Sequence, residues 1–223
     1  METCEIKTNY YENGNIHYKT YCNVNKKLHN ENGPAKIYYH ENGLIKSEWY
    51  YIDGKLHRED GPAIICYYKN GNKYYEEYHI NEKLYREDGP AVIYYYENGN
   101  KYCEEYCINN NLHNENGFAG IYYYKNGNKQ REEHYINNKL HNENGPAIVK
   151  YYKDGSIECK EYYIDGKFVM TDEEVEKYIN SAKPIKVRNI NKLKILYNIC
   201  KARNLEDRMN ETGRKLLLKT LQK

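Results

Sequence analysis

The tripeptide Gly-Pro-Ala begins at Gly33, Gly61, Gly89 and Gly145, and the variant Gly-Phe-Ala begins at Gly117, each start lying 28 residues after the last. A fixed period of this length restricts the chain to a stack of equal supersecondary units, because one unit cannot bury its apolar face alone. One full copy runs from Gly61 to Asp88, and a final copy opens at Gly145 and dissolves after Phe168. An earlier, partly matching copy precedes Gly33, with Asn13-Gly14 and Leu28-His29, its first half shifted by one residue. The period predicts units near 10–32, 33–60, 61–88, 89–116, 117–144 and 145–170, forming a domain over 1–170, with a separate segment over 171–223.

Each copy holds two strand-like segments. The first, Ala63 to Tyr68 and its equivalents, is rich in Ile and Tyr and ends in Asn70-Gly71, copied as Asn42-Gly43, Asn98-Gly99, Asn126-Gly127 and Asp154-Gly155. Asn-Gly between β-forming runs is a strong hairpin signal, since both residues tolerate positive φ. The second segment is predicted from about Lys73 to Ile80, followed by a turn such as Asp53-Gly54 or Asn81-Glu82, a Leu, and a Gly-Pro bend. The unit is therefore a β-hairpin, and consecutive hairpins form a meander: an all-β repeat, an elongated twisted sheet of stacked hairpins with a short helical C-terminal segment. Alternation assigns Ala63, Ile65 and Tyr67, with Tyr78, Ile80 and Leu84, to the buried face. The intervening column Lys36, Ile64, Val92, Gly120 and Ile148 varies.

The run Tyr-Tyr-x-(Asn/Asp)-Gly followed by Glu-x-Tyr-x-Ile-(Asp/Asn)-Gly-Lys-Leu-His, clearest at Tyr38–His57, resembles the MORN-repeat class in its variant form. The likeness covers roughly residues 10–168. The chain departs from the pattern where Arg-Glu-Asp-Gly-Pro or Asn-Glu-Asn-Gly-Pro replaces the usual Gly after His, and its unit is longer than the common one. Long copies rich in Asn and Tyr look like those of giant DNA viruses of amoebae and their associated elements, or of AT-rich bacteria. The resemblance implies a viral or bacterial sheet of hairpins used for protein binding, often with self-association, and membrane-lipid binding has been proposed for the class.

Composition agrees with a thin, ring-tiled sheet rather than a thick aliphatic core: 29 Tyr stand against 2 Phe, 1 Trp and 3 Met, and Asn is about as common as Tyr. The net charge of +2 hides a division. From Lys183 to Lys223 twelve Lys and Arg face three Asp and Glu, a surplus of +9 that leaves −7 for residues 1–182. No apolar leader and no run of eighteen apolar residues is visible, so a cytoplasmic protein is expected. The seven cysteines form no C-x-x-C pair, which points to free thiols in a reducing compartment. Cys103 and Cys107 share a strand face about 13 Å apart, too far to bridge.

Signatures of chemistry are weak. The column His29, His57, His113 and His141 repeats at about 9.5 Å if each unit adds two strands, whereas ligands of one zinc all lie about 2 Å from it; a structural His at each bend is expected, and no metal or cofactor. Glu48, Glu76, Glu104 and Glu132 form one ladder, and Glu77, Glu105, Glu133 and Glu161 another. Carboxylate pairs for glycosidic chemistry stand about 5 to 9.5 Å apart, but a repeat supplies equal copies where an acid and base need unequal environments. These Glu residues are expected to face Lys or Tyr on adjacent strands or to keep the sheet soluble, and no catalytic residue is assigned.

Function in a repeat sits where copies differ. Trp49 stands where Glu77, Glu105 and Glu133 stand elsewhere, and beside it runs the column Tyr51, His79, Cys107, Tyr135, Tyr163. Trp49, Tyr51, His79, Tyr135 and Tyr163 are the candidate partner-binding surface, Tyr and Trp being the usual anchors of such surfaces; the alternative is that the rings simply cover the second face of a one-layer sheet. In the tail, Thr171-Asp-Glu-Glu174 reads as a capping box opening a helix to about Ser181, residues 190–203 as a second helix, and Asn204 with Asp207 as the cap of a third. The tail either caps the sheet, dimerises the protein, or brings its charge to nucleic acid or an anionic membrane. The expected function is a non-catalytic module that binds a protein partner and in part itself, with membrane-surface or nucleic-acid association through the tail as the alternative.

Overall fold

The computed structural model describes residues 5–179 and 190–202. Thirteen antiparallel strands pair in chain order: Glu5–Tyr10, Ile16–Cys22, Lys36–Tyr39, Ile45–Trp49, Ile64–Tyr67, Lys73–Glu77, Val92–Tyr95, Lys101–Glu105, Gly120–Tyr123, Lys129–Glu133, Ile148–Tyr151, Ile157–Ile164 and Lys167–Thr171. The order never doubles back and does not close into a barrel. Contacts divide the chain into two units, residues 1–112 with 121–128 and residues 113–120 with 129–223.

The hairpin repeats in atomic detail. In the copy from Gly61, Ile64 pairs with Glu77, Ile65 with Glu76 and Cys66 with Tyr75, and the register then slips between Cys66 and Tyr67, which faces Lys73. The slip follows from the Asn-Gly turn, where Gly71 takes φ 89° and donates its N–H to the Tyr68 carbonyl at 2.9 Å. Positive φ at this turn belongs to the glycine. The turn with two successive left-handed residues is the second one: Asn81 at φ 50° with Glu82 at 68°, Asn109 at 51° with Asn110 at 66°, and Asn137 at 49° with Asn138 at 63°. That is the two-residue turn whose twist matches its strands, and it closes the ladder in which Ile80 pairs with Lys83 and His79 with Leu84.

The second segment is therefore not continuous to Ile80, as the alternation predicts. It breaks at Tyr78, whose N–H leaves the hairpin to bond the Ala91 carbonyl of the next copy at 2.9 Å. The same bond joins Tyr50 to Ala63 and His134 to Ala147 at 2.8 and 2.7 Å. The alanines of Gly-Pro-Ala at 35, 63, 91 and 147, and of Gly-Phe-Ala at 119, are fully buried at this crossing.

Copies are stapled by polar side chains as well as by backbone. The Tyr68 hydroxyl donates to the Tyr95 carbonyl and Tyr96 to the Tyr123 carbonyl, both at 2.8 Å. Asn72 and Asn100 donate to the carbonyls of Glu97 and Lys125, both at 2.9 Å. The Asn and Tyr content is thus part of the architecture: each side chain reaches a carbonyl about one period away.

Alternation does not separate a buried face from an exposed one. Ile65 and Ile93 are buried on the constant face, but Ile64, Val92, Gly120 and Ile148 are buried on the variable face as well. Large rings and glutamates lie across small residues on both sides, which is how a one-layer sheet hides its aliphatic positions.

After the last strand, helix Asp172–Ile179 opens with the reciprocal capping box: Thr171 N–H to Glu174 Oε2 at 3.0 Å and Glu174 N–H to Thr171 Oγ1 at 3.4 Å. Helix Ile190–Ala202 packs against strand Lys167–Thr171, the end of the sheet. Met170, Val175, Ile195 and Leu196 are almost wholly buried. These helices cover the final strand, as a terminal element of a repeat array should. The expected third helix lies outside the described residues. No described helix is long and apolar enough to cross a membrane.

Candidate functional site

Among the described residues, the constant face carries a ladder of buried carboxylates: Glu76, Glu104 and Glu132. Each sits opposite an aliphatic residue, Glu76 facing both Ile65 and Ile93, so each must be paired where it lies. Two donors do this. Tyr95 donates to Glu76 at 2.6 Å and Tyr151 to Glu132 at 2.5 Å, with Tyr123 bonded to Glu104 in the same way. Lys73, Lys101 and Lys129 reach the other oxygens at 2.6, 2.5 and 2.5 Å. Glu48 takes the hydroxyl of Tyr67 at 2.7 Å, with Ile45 where the next three copies have Lys. Burial, then the hydrogen bond to Glu132, pushes the Tyr151 hydroxyl up to about 12, and the same causes raise Tyr67 and Tyr95. These groups hold one another.

The histidine column is structural in its contacts. His57 Nδ1 accepts the Asn81 N–H of the next turn at 3.2 Å, and His113 and His141 do the same for Asn137 and Asp165 at 3.3 and 3.2 Å. A nitrogen that accepts a backbone N–H cannot also ligate a metal. Among the described residues no three His, Cys, Asp or Glu side chains gather as a metal site.

On the variable face, in the first unit, Trp49 is half-buried, with its indole N–H on Ser47 Oγ at 3.0 Å and Tyr51 two residues further along, also half-buried. His79 Nε2 lies 3.3 Å from Glu77. Burial pushes the Glu77 carboxyl up, but hydrogen bonds from His79 and Tyr75 outweigh it and hold the carboxyl below its usual range. Burial beside Glu105 and Glu77 pushes the Cys107 thiol up to about 12, so it is no nucleophile. In the second unit Tyr135 bonds Glu133 at 3.4 Å and Tyr163 bonds Glu161 at 3.1 Å. Trp49, His79, Tyr135 and Tyr163 thus each have a polar neighbour two residues back along the chain.

A feature that the alternation hides is a pair of clefts at the Gly-Pro bends. The first, about 510 Å³, lies between Asn30–Gly33 and His57–Asp60 over Tyr50 and Ile52. The second, about 440 Å³, repeats it one copy later over Tyr78 and Ile80. Arg58 and Arg86 stack on Tyr50 and Tyr78 at 4.0 and 4.1 Å, and each reaches the proline carbonyl four residues on, as Asn30 does in its copy. The exchange of Arg-Glu-Asp for Asn-Glu-Asn between copies was the sequence signal for this site. Comparison with protein-family models, curated proteins and solved structures finds no match.

Proposed function

We propose that this chain is a non-catalytic protein-interaction module of the MORN-like repeat type, working in a reducing compartment such as the cytoplasm. The observation that carries the reading is Trp49: where the four later copies hold a variable-face glutamate at 77, 105, 133 and 161, this copy has a half-exposed indole beside Tyr51. Large rings held in place by their neighbours lose little entropy on binding, which suits an anchor. The glutamates of the constant face favour a structural role, since Glu48, Glu76, Glu104 and Glu132 are each held by the equivalent tyrosine and the last three also by the equivalent lysine. Described cysteines are free, which fits the compartment.

Association of the basic tail with nucleic acid or an anionic membrane is the weaker reading. Lys192 and Lys194 already pair with Glu174 and Glu143 at 3.6 and 3.2 Å. The test is capture of partners from the native host by the full chain and by Trp49→Ala, compared by mass spectrometry. A partner lost with the indole supports the module; an identical set from both baits removes Trp49 as its anchor.

A further inference from the structure

Three bends of the chain have the same five residues, His-Asn-Glu-Asn-Gly, at 29–33, 113–117 and 141–145. They also have the same internal bonds. The first Asn donates to the carbonyl four residues on at 3.1, 3.0 and 3.0 Å. It accepts the N–H of the second Asn at 3.1, 3.0 and 2.9 Å. The exposed face of the bend, formed by the Glu carboxylate, its carbonyl and the second Asn, is thereby held in one conformation three times.

Among the described residues, one of the three is occupied from within the chain. Helix Ile190–Ala202 lays Lys194 and Asn198, four apart on one helical face, on the bend at 141–145. Lys194 Nζ meets the Glu143 carboxylate at 3.2 Å. Asn198 Nδ2 donates to the Glu143 carbonyl at 2.5 Å and lies 3.4 Å from Asn144 Oδ1. Glu143 keeps 42% of its side chain exposed under this contact, whereas the equivalent Glu31 keeps 77%. Glu31 and Asn32 line the first cleft, where Glu59 adds negative charge on the facing wall and Asp60 is paired with Arg58 at 2.8 Å.

We propose that the cleft between Asn30–Gly33 and His57–Asp60 is a docking site for a basic helix of a partner protein, one that presents Lys-x-x-x-Asn as helix Ile190–Ala202 does. The lysine seats on Glu31, the Asn amide takes the Glu31 carbonyl and the Asn32 side chain, and Ile52, beside the Arg58–Tyr50 stack, receives the intervening apolar residues. Opposite charge selects the partner, and the bend chemistry selects a helix over a diffuse cation. This assignment rests on the module reading above but names a different surface from Trp49.

The experiment uses the full chain, in which helix Ile190–Ala202 fills the bend at 141–145 and, among the described residues, none covers Glu31. The probe is a fluorescent peptide of residues 190–202, chemically stapled to hold it helical, followed by anisotropy. Saturable binding is expected, weakened about tenfold by Glu31→Lys in the chain and by Lys194→Glu in the peptide, since each reverses a charge and sets like charges against one another. Glu31 is exposed, so its replacement leaves folding intact, as circular dichroism will check. No binding, equal affinity for the Glu31→Lys chain, or equal displacement by spermidine at the same charge concentration overturns the assignment. Any of these with Trp49-dependent capture still present leaves the module standing and removes the cleft alone.

Discussion

The Tyr95 hydroxyl donates to the Glu76 carboxylate at 2.6 Å, and Lys73 takes the other oxygen of that carboxylate at 2.6 Å. Tyr95 lies 19 residues beyond Glu76, on the first strand of the next copy, so this bond ties repeat to repeat through a buried charge. Removing the hydroxyl leaves the charge short of a donor. Tyr95→Phe is expected to lower stability by about 2 kcal/mol, the usual scale for a hydrogen bond to a charged group. Urea denaturation checks this, and the loss shrinks when Glu76→Gln accompanies it, because a neutral amide needs its donor less.

The same arrangement gives an alkaline limit. Burial and the bond to Glu132 raise the Tyr151 hydroxyl to about 12 in the folded chain from its ordinary value of 10.0. A folded-state value above the unfolded one means that the native state holds its proton longer. Its contribution is complete below pH 10 and is lost as pH climbs towards 12. Stability should fall across that window, and Tyr151→Phe should flatten the fall. Denaturation midpoints measured at several alkaline pH values test both statements; an unchanged slope in the variant would rule out Tyr151 as the source.

Turn chemistry allows a gain. Glu82 holds φ 68°, in the left-handed region, at a position filled by Gly54 and Gly166 in other copies. A non-glycine residue there costs about 1–2 kcal/mol, partly offset by the entropy that glycine loses on folding. Glu82→Gly should therefore stabilise by about 0.5–1 kcal/mol, seen as a higher thermal midpoint.

Copy-to-copy comparison suggests another gain at Tyr85, which stands in the histidine column. His57, His113 and His141 each accept a backbone N–H from the residue 24 positions on. Tyr85→His places the same acceptor before Asn109 and should add about 1 kcal/mol, an ordinary net hydrogen bond. A destabilised variant would mean that the Tyr85 ring contributes more by packing than the imidazole gains by accepting.

Much of this fold can be read from the sequence because its signals are local and copied. Gly-Pro-Ala, Asn-Gly and the second turn recur at one period, so strand, turn and stacking order follow from residues close in the chain. The capping box at Thr171 and Glu174 is legible for the same reason. What escapes is set by contacts a period apart. Nothing near Ile64 says that its face will be covered, because the cover comes from large side chains elsewhere in the sheet. Nothing in the run from Lys73 to Ile80 marks the break at Tyr78, whose partner is Ala91. The bend clefts need two copies to exist at all. Of the candidate surface, Trp49 is legible as the copy that differs, but its bond to Ser47 depends on a neighbour two residues away that reads as unremarkable in sequence.

The tail makes the last prediction. Deleting residues 183–223 would remove a helix whose Ile195 and Leu196 are almost wholly buried, so loss of binding by a truncated chain would not separate tail charge from a damaged sheet end. Point changes separate them. Leu196→Ala should cost about 2–4 kcal/mol, the range for a large buried aliphatic side chain cut to alanine. Lys194→Ala should cost at most about 1 kcal/mol, because its pair with Glu143 is partly exposed. If the helix is a cap, the first change lowers hydrogen-exchange protection in strand Lys167–Thr171 while leaving that of Glu5–Tyr10 intact. Equal loss of protection in both strands would mean that the sheet unfolds as one cooperative body rather than fraying from the capped end.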